Sequence, residues 1–140
     1  MSLISKSEIK QLAFISSFEE TELKDEIIST AITKYIIPAV TPAVYNLLIE
    51  YPETYRELIE TYIKPCLAFY VKYLHLNQLV LESTSYIPLE YQDSKAKLKE
   101  VATEILTIAE QKKNDLSEYI KANYIPIPTS NNKLISGFLI

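Results

Sequence analysis

Glycine is nearly missing from this chain of 140 residues, in which it occurs only once, at Gly137. Phosphate-binding loops and dinucleotide-binding fingerprints need several glycines, because the backbone must approach the phosphate closely. The tightest β-hairpin turns also depend on glycine. The sequence therefore excludes the common nucleotide-binding loops, and it disfavours a protein built from short hairpins.

Cysteine and histidine each occur once, and tryptophan does not occur. A single cysteine excludes an intrachain disulfide and a multi-cysteine zinc site. Cys66 and His75 fall on one predicted helix, where their nine-residue separation corresponds to about 13 Å, too far for a nucleophile and its base. We predict that Cys66 is a core residue and that His75 faces solvent or a neighbouring helix.

The acidic residues form no catalytic or metal-binding pattern. Glu19-Glu20, and Glu57 with Glu60, lie in charged helix faces or first turns, where nothing indicates burial. A carboxylate metal site in a four-helix bundle would need Glu-x-x-His pairs, and the sequence contains none. We predict no catalytic residue, no metal and no cofactor, and we do not expect an enzyme.

Basic residues are too few to coat nucleic acid. The chain has 14 Lys and Arg against 18 Asp and Glu, a formal net charge of −4, whereas phosphate binding needs clustered positive charge. The only basic clusters are Lys95-Ala96-Lys97-Leu98-Lys99 and Lys112-Lys113. We interpret them as solvated helix faces. The alternative is contact with an acidic partner or with packaged nucleic acid that passes nearby.

Long apolar runs are missing too. The N-terminal sequence MSLISKSEIK lacks the apolar core of a signal peptide. No run of about 18 apolar residues, the length that a membrane-spanning helix needs, occurs in the chain. We therefore expect no membrane association, and a protein made and kept in the cytoplasm or in something assembled there.

What the sequence does contain is helical spacing over most of residues 1–123. The Ser5-x-x-Glu8 pattern fits a capping box at the start of a first helix, and Thr41-Pro42 fits an N-cap followed by proline at the first helical position. An all-α fold is predicted, a small bundle of about five helices over residues 6–13, 21–37, 42–50, 52–64 running into 65–81, and 94–122.

Prolines lie at several predicted helix boundaries. Proline lacks the backbone N–H and disfavours helical geometry in the residue before it. We therefore predict helix breaks or kinks near Pro38, Pro52 and Pro65.

Residues 65–81 are apolar on almost every side of the predicted helix. Such a helix is normally buried all round, and a chain of this size can hardly cover it completely. Because large exposed apolar patches mark interfaces, we expect part of this helix to contact another subunit, with Phe69, Tyr70 and Tyr73 as candidate interface residues.

The last 17 residues form a predicted tail, residues 124–140, that follows the helical domain of residues 1–123. Pro126 and Pro128 keep the chain extended, and a polar stretch follows them. The apolar end is too short to fold on itself and too apolar to stay in water. It either docks on its own domain or adds to a partner, possibly as an edge strand. We predict that it docks on another chain, with candidate interface residues Leu134, Ile135, Phe138, Leu139 and Ile140.

The order of these elements resembles the head–tail connector, or neck-ring adaptor, proteins of tailed bacteriophages. A short first helix precedes an acidic-start helix that ends Lys34-Tyr35-Ile36-Ile37-Pro38, and a short helix with Tyr45-Asn46-Leu47-Leu48 follows. The phrase Tyr62-Ile63-Lys64-Pro65 then leads into the apolar helix, and a long closing helix precedes the tail. The resemblance covers roughly residues 5–122.

The resemblance implies a structural virion protein that forms a ring in the neck, between portal and tail. It implies a ring of about twelve copies, whose partners are the chain itself, the portal protein and other neck or tail proteins. Genomic DNA would pass through the ring without sequence-specific binding. The protein would be located in the virion after synthesis in the host bacterial cytoplasm, and the family has no active-site residues to transfer.

A second interpretation stays open at this point. The chain would then be a small oligomeric regulatory or adaptor module, of bacterial or phage origin, that acts by protein–protein interaction through the surface of residues 65–81. A stable dimer with no larger assembly would favour that module over a ring subunit. An enzyme is the third and weakest interpretation, because no reactive constellation is visible.

Overall fold

The computed structural model describes residues 3–14, 18–82 and 92–123 of the chain. Of these described residues 86% are helical and none is in a strand, so the predicted all-α class is confirmed. The predicted loop around Pro88 and the predicted extended tail, residues 124–140, lie outside the described residues.

Five helices follow one another in the described parts of the chain. We number them α1, Lys6–Ala13; α2, Asp25–Val40; α3, Pro42–Glu50; α4, residues 56–82; and α5, Gln92–Ala122. A short 3₁₀ turn, Glu20–Glu22, precedes α2. The first helix has the predicted bounds, and α5 ends at the predicted residue.

The predicted capping box starts α1. The Glu8 backbone N–H donates to Ser5 Oγ at 3.2 Å, and the Ser5 N–H donates to Glu8 Oε1 at 3.0 Å. Two N–H groups that have no partner inside the helix are satisfied in this way. At the C-terminal end of α5, the backbone N–H and the Nδ2 group of Asn123 both donate to the Tyr119 carbonyl and close the helix.

Two of the predicted proline breaks are not helix ends. Pro38 lies inside α2 and Pro65 lies inside α4, and each follows a π-helical turn, Ile32–Ile36 and Leu58–Ile63. The residue that follows each turn, Ile37 or Lys64, donates its backbone N–H to the carbonyl five residues earlier, where an α-helix would use the carbonyl four residues earlier. The wider turn accommodates a proline that cannot donate and whose ring would crowd the preceding turn, so the helix continues.

At Pro52 the predicted break is present, but the next helix begins later than predicted. Residues 52–55 form turns, with the Thr54 and Tyr55 N–H groups both donating to the Tyr51 carbonyl. Helix α4 then begins at Arg56.

The corner between α2 and α3 depends on Thr41. Its side chain accepts the Val44 N–H at 3.3 Å, as the predicted N-cap should, but its backbone lies at φ 82° and ψ 150°. Only glycine adopts this conformation readily, and another residue there costs about 1–3 kcal/mol. The two helices meet at 105°, and burial of Val40 and Val44 on either side holds the corner.

Helix α4 is the centre of the bundle. Helices α1, α2 and α5 all pack against it, and α5 runs antiparallel to it, so that Tyr62 meets Tyr119 and Tyr70 meets Glu110. The core draws apolar side chains from every helix, among them Ile9, Ala31, Ile36, Val44, Leu48, Leu58, Ile63, Leu67, Val71, Ala109 and Leu116.

The strained corner gives a first testable prediction. We expect Thr41→Ala to lose about 1 kcal/mol of unfolding free energy, because the cap is lost while the unfavourable φ remains. Thr41→Gly should be more stable than Thr41→Ala by about 1 kcal/mol or more, because glycine removes the strain. Urea unfolding of both variants measures the difference, and an alanine variant as stable as the glycine variant would contradict the strain at this residue.

Candidate interaction surface

The middle of α4 is covered by its own chain. Cys66, Leu67, Ala68, Tyr70 and Val71 have at most 1% of their surface exposed. Helices α1, α2 and α5 surround α4 there, so contact of part of this helix with another subunit stays a prediction for the surface that they leave exposed.

Tyr70 must be withdrawn as an interface residue. It has no exposed surface; its ring stacks on Tyr35 with centroids 3.9 Å apart, and its hydroxyl donates to Glu110 Oε2 at 2.7 Å. Burial and this bond to the carboxylate raise the pKa of Tyr70. A tyrosine at the centre of the bundle thus joins α2 and α5 to α4.

The other candidates on α4, Phe69 and Tyr73, are partly exposed. The Phe69 ring lies under the Lys112 Nζ, 5.3 Å from the ring centroid. Their role in contact with another chain stays a prediction. The tail candidates Leu134, Ile135, Phe138, Leu139 and Ile140 lie outside the described residues.

The second half of α4 presents apolar surface to the outside. Leu81 is 68% exposed and Leu79 is 38% exposed. Together with α2 this half of the helix forms an open cavity of about 630 Å³, which we call the α2–α4 groove; its walls are Glu26, Ile27 and Thr30 of α2 and Leu74, Asn77, Gln78 and Leu81 of α4.

The groove suits an apolar segment. Its walls combine aliphatic side chains with a rim of amide and hydroxyl groups, and Glu26 is the only charged residue among the described residues that line it. A surface of this kind can bury aliphatic side chains, while Thr30 and Asn77 on its rim can bond a peptide backbone. The α2–α4 groove is therefore the candidate interaction surface of the described part of the chain.

An aromatic cluster fixes the connection after α1 next to α4. Phe14 and Phe18 stack with centroids 4.0 Å apart, and the buried His75 meets both rings edge-on, at 5.8 and 5.5 Å. Lys72 Nζ donates to the Ala13 carbonyl at 2.8 Å and lies over the Phe14 ring. His75 thus packs against neighbouring elements of its own chain, one of the two positions predicted for it.

A buried lysine ties α1 to α4. Lys64 Nζ lies 2.6 Å from Glu8 Oε2 and 2.8 Å from Glu60 Oε2. Burial alone would lower the pKa of Lys64, but the bonds to Glu60 and Glu8 outweigh it and the pKa is raised. The bond from Lys64, with that from the Ser5 backbone, lowers the pKa of Glu8, so both groups stay charged.

Cys66 lies in the core, where its Sγ is 3.9 Å from the Ala109 carbonyl. Burial raises the pKa of the Cys66 thiol to about 12. A thiol in this state is not a nucleophile at neutral pH, because the thiolate is the reactive species.

Residues 3–14, 18–82 and 92–123 contain no group of three or more His, Cys, Asp or Glu side chains placed to hold a metal ion. In the same ranges no single helix is long and apolar enough to cross a bilayer. The bent pair Asp25–Val40 and Pro42–Glu50 meets the length and composition together, and Val40, Val44 and Leu48 of this pair are buried in the bundle.

The basic clusters are spread over α5. Lys97 and Lys99 are exposed near its start, while Lys113 pairs with Glu110 at 3.8 Å and Lys112 lies over Phe69. The second cluster therefore contacts its own helix and α4.

Comparisons of this chain with protein-family models, with curated proteins and with solved structures find no match.

The Lys64 pair predicts a pH dependence. Because the pKa of Glu8 is lowered from its ordinary value of 4.5, its charge stabilises the fold above pH 4.5, and this contribution is lost as the pH falls through the folded-state pKa. Glu8→Gln keeps the capping pattern and removes the charge. We expect it to be less stable than the parent by up to about 1 kcal/mol at pH 7, and the difference to disappear as the pH falls through the folded-state pKa of Glu8.

Urea unfolding across this pH range checks the expectation. Glu53→Gln is the matched control, since Glu53 is exposed and pairs with the exposed Arg56, at 3.7 Å. A constant difference between parent and Glu8→Gln at every pH would show that the charge of Glu8 contributes nothing.

The buried thiol predicts chemical inertness. In the native protein at pH 8, iodoacetamide should leave Cys66 unmodified over hours, because the thiol is buried and its pKa is about 12. After unfolding in urea the same reagent should modify it fully. Mass spectrometry detects the added carbamidomethyl group. Rapid labelling of the native chain would contradict the burial of Cys66.

Proposed function

We propose that this chain is a structural subunit of a phage neck, one of several identical copies that form a ring between the portal and the tail. In this role the chain acts by its shape and contacts and catalyses no reaction. Each copy joins its neighbour through unlike surfaces, and unlike surfaces repeated about a closed axis generate a ring.

The exposed second half of α4 is the observation that carries the proposal. The aliphatic surface there includes a leucine that is 68% exposed to solvent. Burying such a surface against another chain is favourable by about 25 cal/mol per Å² of apolar area. A small helical chain with such a surface is suited to assembly.

The order of the helices also supports the proposal. A short capped helix, a longer acidic-start helix, a short third helix and two long packed helices follow in the order in which the sequence resembles neck-ring proteins. The acidic balance of the chain, net −4, fits a ring through which DNA passes without being held. The portal protein, other neck and tail proteins and the chain itself would be its partners, and the virion neck its location.

The alternative function, a small regulatory or adaptor module, is favoured by one observation. A single apolar groove with a polar rim is also how a compact domain receives one amphipathic partner segment. Such a module would act as a dimer or with one partner protein, and would not be found in purified particles.

Deletion of the gene from the phage or prophage that encodes it tests the proposal. We expect DNA-filled heads without attached tails in electron micrographs, because the head would lack the ring that receives the tail. Expression of the chain from a plasmid should restore tailed particles that contain it. Normal infectious particles from the deletion, or purified virions without the chain, would contradict the proposal.

A further inference from the structure

The α2–α4 groove and the apolar end of the chain are complementary in chemistry. We propose that residues 134–140 of one copy occupy the α2–α4 groove of the next copy. The inference rests on the proposed ring and names both the surface through which its copies join and the segment that fills it.

The chemistry of the segment matches the groove. Its sequence is Leu-Ile-Ser-Gly-Phe-Leu-Ile, five large apolar side chains without any charge, and the aliphatic walls of the groove are Ile27, Leu74 and Leu81. A cavity of about 630 Å³ is within the range of about 300–1,000 Å³ in which proteins bind compact ligands. The polar rim, Thr30 and Asn77, is placed to bond the backbone of an extended segment.

The place where α5 ends favours a second copy as the source of the segment. Tyr119, in the last turn of α5, meets Tyr62 of α4 with ring centroids 4.4 Å apart. The groove lies on α4 between Leu74 and Leu81, about 18–28 Å further along the same helix at about 1.5 Å per residue. The tail therefore leaves one end of the bundle and the groove opens at the other.

The length of the connecting segment agrees with this assignment. Residues 124–133 can span at most about 36 Å when fully extended. The groove of the same chain lies within this length, but reaching it would require the segment to return almost straight along the bundle. A neighbour placed end to end brings its groove to the point where the tail starts, and this contact of unlike surfaces is the kind that closes into a ring.

Disulfide trapping in the full-length chain tests the inference. Thr30→Cys puts a thiol on the exposed wall of the groove, and Ser136→Cys puts one in the tail. The two variants are given different affinity tags, mixed and oxidised. We expect a mixed dimer on non-reducing gels that contains a peptide linking positions 30 and 136. Cys66 stays in both chains, and the parent chain should give no dimer.

Ser29→Cys is the matched control for the groove position. Ser29 is the exposed neighbour of Thr30 on α2 but does not line the groove, so its mixture with Ser136→Cys should give at least ten-fold less mixed dimer. Equal linkage at positions 29 and 30 overturns the inference. A link within one chain in the Thr30→Cys/Ser136→Cys double variant, or no link at all, overturns it too.

Two variants at exposed residues provide a second test, in which the mass of the assembled species is measured. Leu81→Glu puts a charge on the groove wall and should shift the assembled species to the mass of the single chain. Tyr51→Glu, at a residue 50% exposed in the turn after α3, should leave the assembled mass unchanged. Circular dichroism confirms that both variants keep the helical fold. Assembly of Leu81→Glu equal to that of the parent would overturn the inference.

The outcome separates this inference from the proposed function. If the link between positions 30 and 136 is absent while the full-length chain still restores tailed particles, the ring stands and the tail docks elsewhere. If the chain also fails to restore tailed particles, the proposed function fails with it.

Discussion

The fold depends on covering one apolar helix. Helix α4 carries large apolar side chains around most of its circumference, and α1, α2 and α5 enclose it around residues 66–71. Near its C-terminal end Leu79 and Leu81 are left exposed. The same helix is therefore a core element over part of its length and an exposed aliphatic surface near its C-terminal end.

Polar groups inside the bundle serve to align the helices. Lys64 bonds carboxylates of α1 and α4, Tyr70 bonds Glu110 of α5, and Lys72 bonds the carbonyl at the end of α1. In the described residues no buried side-chain nitrogen or oxygen lacks a partner. Because an unpaired buried polar group is costly, each of these bonds selects one arrangement of α1 and α5 around α4. The polar groups thus have structural partners within the chain.

The sequence predicted local structure better than long-range contacts. The Ser5 capping box and the Thr41 N-cap are local patterns, and the structure has both. Helix breaks were predicted at Pro38 and Pro65, but a π-helical turn before each proline lets the helix continue. Such a turn depends on helix packing and has no fixed sequence pattern. Tyr70 was predicted to lie at an interface but is buried, because apolar spacing cannot show which part of a uniformly apolar helix its neighbours cover. The groove was missed for the same reason, since its walls come from two helices about 50 residues apart.

In the proposed ring, more than two copies of this chain join around a closed axis. Native mass spectrometry of the full-length chain, alone and mixed with a candidate portal protein, tests this proposal most directly. The account predicts a defined complex that contains many copies of the chain, about twelve if the resemblance to neck-ring proteins extends to copy number. A dimer as the largest species under both conditions, or a monomer that does not bind the portal protein at any concentration, would contradict it.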